Sequence, residues 1–137
     1  TVLRPKGFEL PEPILQVAQE LAGRSGGSVR ETPDRSEALE GAHVIYAKSW
    51  SSTKHYGNEE GDHELRSGLS DWCVNSDWFT TADTNCCFMH CLPVRRGVVV
   101  TAEVLEGPRS VVVHEARNRM FTQMAVLYEI LRENKAS

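Results

Sequence analysis

The sequence predicts an α/β domain built as a doubly wound (Rossmann-like) parallel sheet with helices on both faces. Short continuous apolar runs of strand length recur along the chain, the pattern of strands buried on both faces. Segments with helical periodicity separate them, in the order β-α-β-α-β-(loop, α)-β-α-β-α. Proline and glycine punctuation marks the joints.

In chain order, Val2-Leu3 reads as a strand that runs into the turn Arg4-Pro5-Lys6-Gly7. Thr1-Val2-Leu3 looks like the tail of a strand already under way, and the first residue is not Met, so the expectation is a fragment incomplete at its N-terminus. Pro11 and Pro13 flank a helix start, with Ile14, Leu15, Ala18, Leu21 and Ala22 on one face and Gly26-Gly27 as the stop. Residues 28–32 form a short strand around Val29. Asp34 or Ser36 caps a short helix through Ala38 and Leu39 that ends at Gly41. His43-Val44-Ile45-Tyr46-Ala47 is a strand of the buried type.

Residues 48–75 are polar and irregular, with Gly57, Gly61 and Gly68, and read as a long loop of the functional or mobile kind. A short helix is expected within residues 71–81. Cys86-Cys87-Phe88-Met89-His90 is a second buried-type strand, ending at Cys91-Leu92-Pro93. Thr101 caps a short helix closed by Gly107, and residues 110–114 read as a last strand. Met120, Phe121, Met124, Leu127, Tyr128 and Leu131 then line one side of a final helix.

The 137 residues suffice for one domain with one core. Hydrophobic residues make up 40% and charged ones 25%, the balance of an ordinary globular domain. A net charge of −4 gives no field to recruit nucleic acid or an anionic membrane. The longest apolar stretches, Val98-Val99-Val100 and Val111-Val112-Val113, are far too short to cross a bilayer. Cys73, Cys86, Cys87 and Cys91 contain no C-x2-C pair, so reduced thiols in a cytoplasmic protein are expected rather than zinc or disulfides. His55 and His63 lack ligand spacing, and no metal is assigned. Without a G-x-G-x-x-G stretch a nucleotide-binding reading is weak.

In a doubly wound sheet, ligands sit beyond the carboxyl ends of the strands. That rule singles out Lys48-Ser49-Trp50, His90-Cys91-Leu92-Pro93 and residues 115–119. The second is the most informative. An X-Pro bond there can be cis, turning the backbone sharply and aiming carbonyls into a cleft beside a thiol and two arginines. Taken from composition alone, the same stretch is a turn with a buried Cys and two solvated arginines.

His90-Cys91-Leu92-Pro93 resembles the His-Cys-Leu-Pro motif of ornithine-type carbamoyltransferases. The resemblance extends through Gly41-Ala42-His43-Val44-Ile45-Tyr46, Thr101-Ala102-Glu103-Val104-Leu105, Gly107-Pro108-Arg109-Ser110-Val111-Val112 and Glu115-Ala116-Arg117-Asn118-Arg119-Met120, which is nearly the whole chain. It implies that residues 1–137 are the aspartate/ornithine-binding domain of such an enzyme, with the carbamoyl-phosphate domain absent. Ornithine enzymes of the family usually read His-Cys-Leu-Pro-Ala-His-Arg and carry a Ser-Met-Gly loop. Here the motif continues as Val94-Arg95-Arg96, and Lys48 is followed by Ser49-Trp50-Ser51-Ser52-Thr53. Both departures look like the acylornithine branch, whose substrate has a blocked α-amine. Valine stands at position 99, where some acetylornithine enzymes have a carboxylated lysine, which leaves acetyl against succinyl open.

The resemblance implies a role for each matching residue. Lys48 would pair with the substrate α-carboxylate. Cys91 and Leu92 would offer carbonyls, with the Cys91 thiol as a further candidate, to the amine nucleophile and the carbamoyl NH2. Arg119 would donate to the carbamoyl oxygen as negative charge grows. Arg95 is a candidate for the acyl end, best suited to a succinyl carboxylate. His114 and Glu115 carry no acid-base role in the family and read as structural. The implied substrates are carbamoyl phosphate and an N-acylornithine, with no cofactor, no nucleic acid and no membrane partner. The full-length family works as homotrimers, and its acylornithine branch threads the segment corresponding to residues 48–75 through a knot. No Ser-Thr-Arg-Thr phosphate cradle occurs in this chain, so the isolated fragment is expected to be catalytically inactive.

Overall fold

The structure is a computed structural model that describes residues 1–49 and 55–135, with side chains to 132. Its elements are β1 (Val2–Leu3), α1 (Glu12–Arg24), β2 (Glu31–Thr32), α2 (Arg35–Leu39), β3 (Val44–Tyr46), α3 (Glu59–Ser67), β4 (Cys87–Met89), α4 (Ala102–Glu106) and α5 (Val112–Lys135). Two 3-10 turns, Ser70–Trp72 and Ser76–Phe79, lie between α3 and β4. The parallel α/β fold expected from the sequence is therefore present, although the four strands among the described residues form two parallel pairs, β1 with β2 and β3 with β4.

Local chemistry explains most boundaries. Pro13 occupies the first turn of α1, where its missing N–H costs nothing. Gly26, at φ +75, ends that helix as a left-handed residue a Cβ would strain. The Asp34 carboxylate accepts the Glu37 N–H at 3.1 Å and caps α2, as expected. Thr101 caps α4 through the Val104 N–H at 3.4 Å.

The core gathers around β3 and β4. Phe88 and Val100 are fully buried, with Cys86, His90 and Val99 nearly so, and Leu39, Ile45, Trp78 and Val104 close the cluster. Burying an aromatic such as Phe88 contributes on the order of 2–3 kcal/mol. Arg35 lies over Trp72 and Trp78, 5.1 and 4.7 Å from their ring centres, and pairs with Asp71 at 3.1 Å. This stack fixes the 3-10 turns against α2.

Several expectations are corrected. The last strand does not form over residues 110–114. Ser110 makes a single parallel bridge to Phe88, and the backbone turns into α5 at Val112. Residues 48–75 are not wholly irregular, because Asn58 accepts the Gly61 N–H at 3.0 Å and starts α3, a polar helix without a long apolar stripe to announce it. Residues 50–54, including most of the stretch compared with the Ser-Met-Gly loop, lie outside the described residues. The helix expected within residues 71–81 is the pair of 3-10 turns. The strand expected at 28–32 pairs only over Glu31–Thr32. Half-burial on α1 is limited to Leu15, Ala18 and Ala22, while Ile14 and Leu21 face out. The anticipated apolar side of α5 is exposed from Met120 to Leu131. Between β1 and β3 lies an apolar cavity of about 510 Å³, lined by Leu3, Ile45, Trp72 and Val99 among others.

Candidate functional site

Strand pairing brings two of the expected strand ends side by side. Val44, Ile45 and Tyr46 of β3 register with Cys87, Phe88 and Met89 of β4, and the ladder continues through Ala47 N–H to Met89 O at 3.0 Å. Lys48 and Cys91 therefore emerge together, and Lys48 Nζ donates to Cys91 Sγ at 3.2 Å. From α5, Arg119 reaches back so that one guanidinium nitrogen donates to the Cys91 carbonyl at 3.2 Å. Lys48, Cys91 and Arg119, from three elements far apart in sequence, meet at one point.

The backbone turns sharply just beyond it. The Leu92–Pro93 bond is cis and Leu92 has φ +46, in the left-handed region. The Leu92 N–H donates to His90 Nδ1 at 2.9 Å, closing the corner on itself. Leu92, Pro93, Arg96, Ser110 and Arg119 line an open cleft of about 730 Å³ on one side of this corner. Lys48 lines the apolar cavity on the other side, and Cys91 sits between the two.

His90 is the buried member of the group, 1% exposed. Because Nδ1 accepts an N–H, the imidazole is neutral with its proton on Nε2. Burial lowers its pKa first and the Lys48 charge adds to that, against an opposing pull from Glu115. Tyr46, the last residue of β3, donates its hydroxyl to Glu115 Oε1 at 2.7 Å. That hydrogen bond to a carboxylate, helped by desolvation, pushes the phenol up to about 12, so it stays protonated at any working pH.

Arg95 is not drawn into this arrangement. It is exposed, and its side chain pairs with none of the described residues. Its neighbour Arg96 lines the cleft and pairs with Glu106. His114, expected at the end of a buried strand, lies exposed on α5. Glu115 accepts two hydrogen bonds that sequence reasoning does not foresee, from Tyr46 and from the His90 N–H. The one signal for it in the sequence is an acidic residue in the first turn of a helix that follows a strand end. All four cysteines are free thiols, and burial raises Cys73 and Cys86. Among the described residues no His, Cys, Asp and Glu cluster could hold a metal, and no helix is long and apolar enough to cross a membrane.

Fold and corner together define a parallel α/β domain in which a cation and a guanidinium meet at a carbonyl-bearing turn, the guanidinium beside the cleft and the cation beside the apolar cavity. Residues 1–130 match the family described as aspartate/ornithine carbamoyltransferase, Asp/Orn binding domain, and the chain belongs to that family. A relative named ornithine carbamoyltransferase from Leifsonia xyli is 38% identical over 134 residues, 98% of this chain and 42% of its own. Another from Bordetella avium is 42% identical over 103 residues, 75% of this chain and 32% of its own. Among solved structures, a variant of N-acetyl-L-ornithine transcarbamylase complexed with carbamyl phosphate and N-succinyl-L-norvaline superposes with TM-score 0.84 at 33% identity. It covers 92% of this chain and 38% of that one. Ornithine carbamoyltransferase from Pyrococcus furiosus gives 0.80 at 39% identity, covering 92% and 39%. The chain thus spans less than half the length of the curated relatives it matches.

Proposed function

We propose that this chain is the amino-acid-binding part of an enzyme that transfers the carbamoyl group of carbamoyl phosphate to the δ-amine of N-acetylornithine, in arginine biosynthesis. The observation that carries this reading is the convergence of Lys48 and Arg119 on Cys91, at the Cys91-Leu92-Pro93 corner. Lys48 holds the α-carboxylate as a point charge, having two N–H donors left after the one it gives Cys91. The Cys91 and Leu92 carbonyls orient the amine and the carbamoyl NH2. The neutral amine attacks the carbamoyl carbon, Arg119 donates to the oxygen that gains charge, and the C–O bond to phosphate breaks as the amine's proton passes to the departing phosphate. No covalent enzyme intermediate and no cofactor is needed.

The acyl preference rests on Val94-Arg95-Arg96 and on Lys48-Ser49 without Ser-Met-Gly. A free α-ammonium would be repelled by the basic pair Arg95 and Arg96, of which Arg96 lines the cleft, whereas a blocked amine is not and a succinyl carboxylate would be attracted. Free ornithine is the second reading, favoured by curated relatives that carry the name ornithine carbamoyltransferase. The phosphate-binding groups come from polypeptide outside these residues, in a cytoplasmic homotrimer whose chain is knotted around the segment near residues 48–75.

A chimera tests the reading. In it, these residues replace the matched part of Pyrococcus furiosus ornithine carbamoyltransferase, and citrulline-type products are measured with ornithine, N-acetylornithine and N-succinylornithine. Carbamoylation of N-acetylornithine in preference to ornithine is expected. Turnover of ornithine alone would overturn the acyl preference, and a folded chimera active on none of the three would overturn the transferase reading.

A further inference from the structure

We propose that Glu115 is the positioning residue of this site, a side chain that completes the strand ladder and so sets where the Cys91 and Leu92 carbonyls lie. The inference rests on the transferase reading above and deepens it.

The ladder beside β4 is cut short. Phe88 and Ser110 form a parallel bridge, with Phe88 N–H donating to Arg109 O at 2.8 Å and Val111 N–H to Phe88 O at 3.0 Å. The alternation of a parallel ladder would next send the His90 N–H to Val111 O. That rung is missing. The backbone has already entered α5, and Val111 O accepts the Glu115 N–H at 2.9 Å as its first helical bond. A nearly buried N–H at His90 is thereby left without its ladder partner, at a cost of about 1–3 kcal/mol if nothing replaces it.

Glu115 replaces it. Its Oε2 accepts the His90 N–H at 3.1 Å, while Oε1 is held by the Tyr46 hydroxyl at 2.7 Å. One carboxylate thus ties the end of β4 to the end of β3 from the first turn of α5, where the helix dipole favours negative charge. The next turn of the same helix face carries Arg119, four residues on, which donates to Cys91 O. His90 also accepts the Leu92 N–H. The backbone from His90 to Leu92 is therefore pinned at three consecutive residues, and two of the three pins come from α5. Glu115 itself acts through the backbone and has no assigned contact with a reacting atom.

The test uses the chimera described above, with the effect on kcat separated from that on KM. Glu115→Met keeps the length and removes both acceptors, and kcat is expected to fall tenfold or more while KM for both substrates stays within threefold. Glu115→Gln supplies a carbonyl to the His90 N–H and an NH2 to the Tyr46 oxygen, so it should restore kcat to within threefold. Should the Met variant fail to fold, the pair Glu115→Gln and Tyr46→Phe decides. Tyr46→Phe should cost less in the Gln background than in the parent, because the bond it removes from the parent is charge-assisted and the one it removes from the Gln variant is neutral. Three results overturn the positioning role: a folded Met variant with unchanged kcat, a Gln variant as impaired as Met, or additive effects of the pair. A parent chimera that transfers no carbamoyl group overturns the functional reading itself, whatever the Glu115 variants do.

Discussion

Replacing Arg119 by Met in the chimera tests the charge-stabilising part of the site. Its guanidinium carries five N–H donors, and among the described residues one of them is spent on Cys91 O at 3.2 Å. The rest are free to face the cleft that Arg119 lines together with Leu92 and Pro93. A donor aimed at an oxygen that gains negative charge contributes most in the transition state, and losing one such donor typically lowers kcat by about 10²–10³-fold, or about 2.7–4 kcal/mol. Arg119→Met should therefore lower kcat by roughly that factor. KM for carbamoyl phosphate should move far less, since the ground-state carbonyl oxygen carries little charge. Arg119→Lys keeps the cation without the fork, so it can serve either Cys91 O or the substrate oxygen and should fall between the two. Initial-rate kinetics with both substrates varied, checked against the thermal midpoint of each variant, separate these effects. A folded Met variant within threefold of the parent kcat would refute the assignment.

The same geometry sets three further outcomes. Lys48→Met in the chimera should raise KM for the amino-acid substrate by about 10–100-fold, the loss of one charge-assisted hydrogen bond, with kcat largely kept; saturation kinetics read this directly. His90 ties the protein to pH through its lowered pKa. The unfolded chain takes up a proton near the ordinary histidine value of about 6.5, which the folded chain refuses until lower pH, so stability is full above that range and falls as pH drops through it. Denaturant midpoints between neutral and mildly acid pH should show the decline, with the imidazole nitrogens of His90 staying in the Nε2–H form by NMR until the lower value is reached. A midpoint flat across that interval would contradict the buried neutral imidazole. Finally, the isolated 137-residue chain should give no carbamoyl transfer at any substrate concentration, and measurable turnover from it would show that a phosphate-binding group exists within these residues.

The parts of this fold legible in the sequence are those where a local signal and the tertiary outcome agree. Asp34 and Thr101 cap helices because a short oxygen-bearing side chain three residues before a helical N–H does so in almost any context. The run 44–46 and the run 87–89 are readable as strands because both are apolar and continuous. Residues 110–114 carry the same signature, three valines in succession, and yet form only one bridge. Strand length there is decided by the helix on its C-terminal side. Once Val111 O is captured by the Glu115 N–H, helix continues and the valines become its first turn, with Val112 buried and Val113 exposed. α3 escapes a sequence reading for the opposite reason, since its start depends on Asn58 and an acidic first turn rather than on an apolar stripe.

The candidate site divides along the same line. Position in the chain is enough to bring Lys48 and Cys91 together, because parallel pairing of β3 with β4 puts the residues just beyond each strand side by side. Arg119 is within reach only because α5 begins early. Had the strand run to His114 as the sequence suggests, residue 119 would have been displaced along the chain direction by several extended residues, at about 3.3 Å each against 1.5 Å in a helix. The same early turn removes a ladder partner from His90 and installs Glu115 in its place. A single local event, the switch from strand to helix at Val112, therefore both delivers the guanidinium to the corner and requires the carboxylate that holds the corner still. Sequence reasoning places both residues in the stretch 115–119 beyond a strand end and takes the arginine's role from the family resemblance; the carboxylate's two hydrogen bonds emerge only from the missing rung.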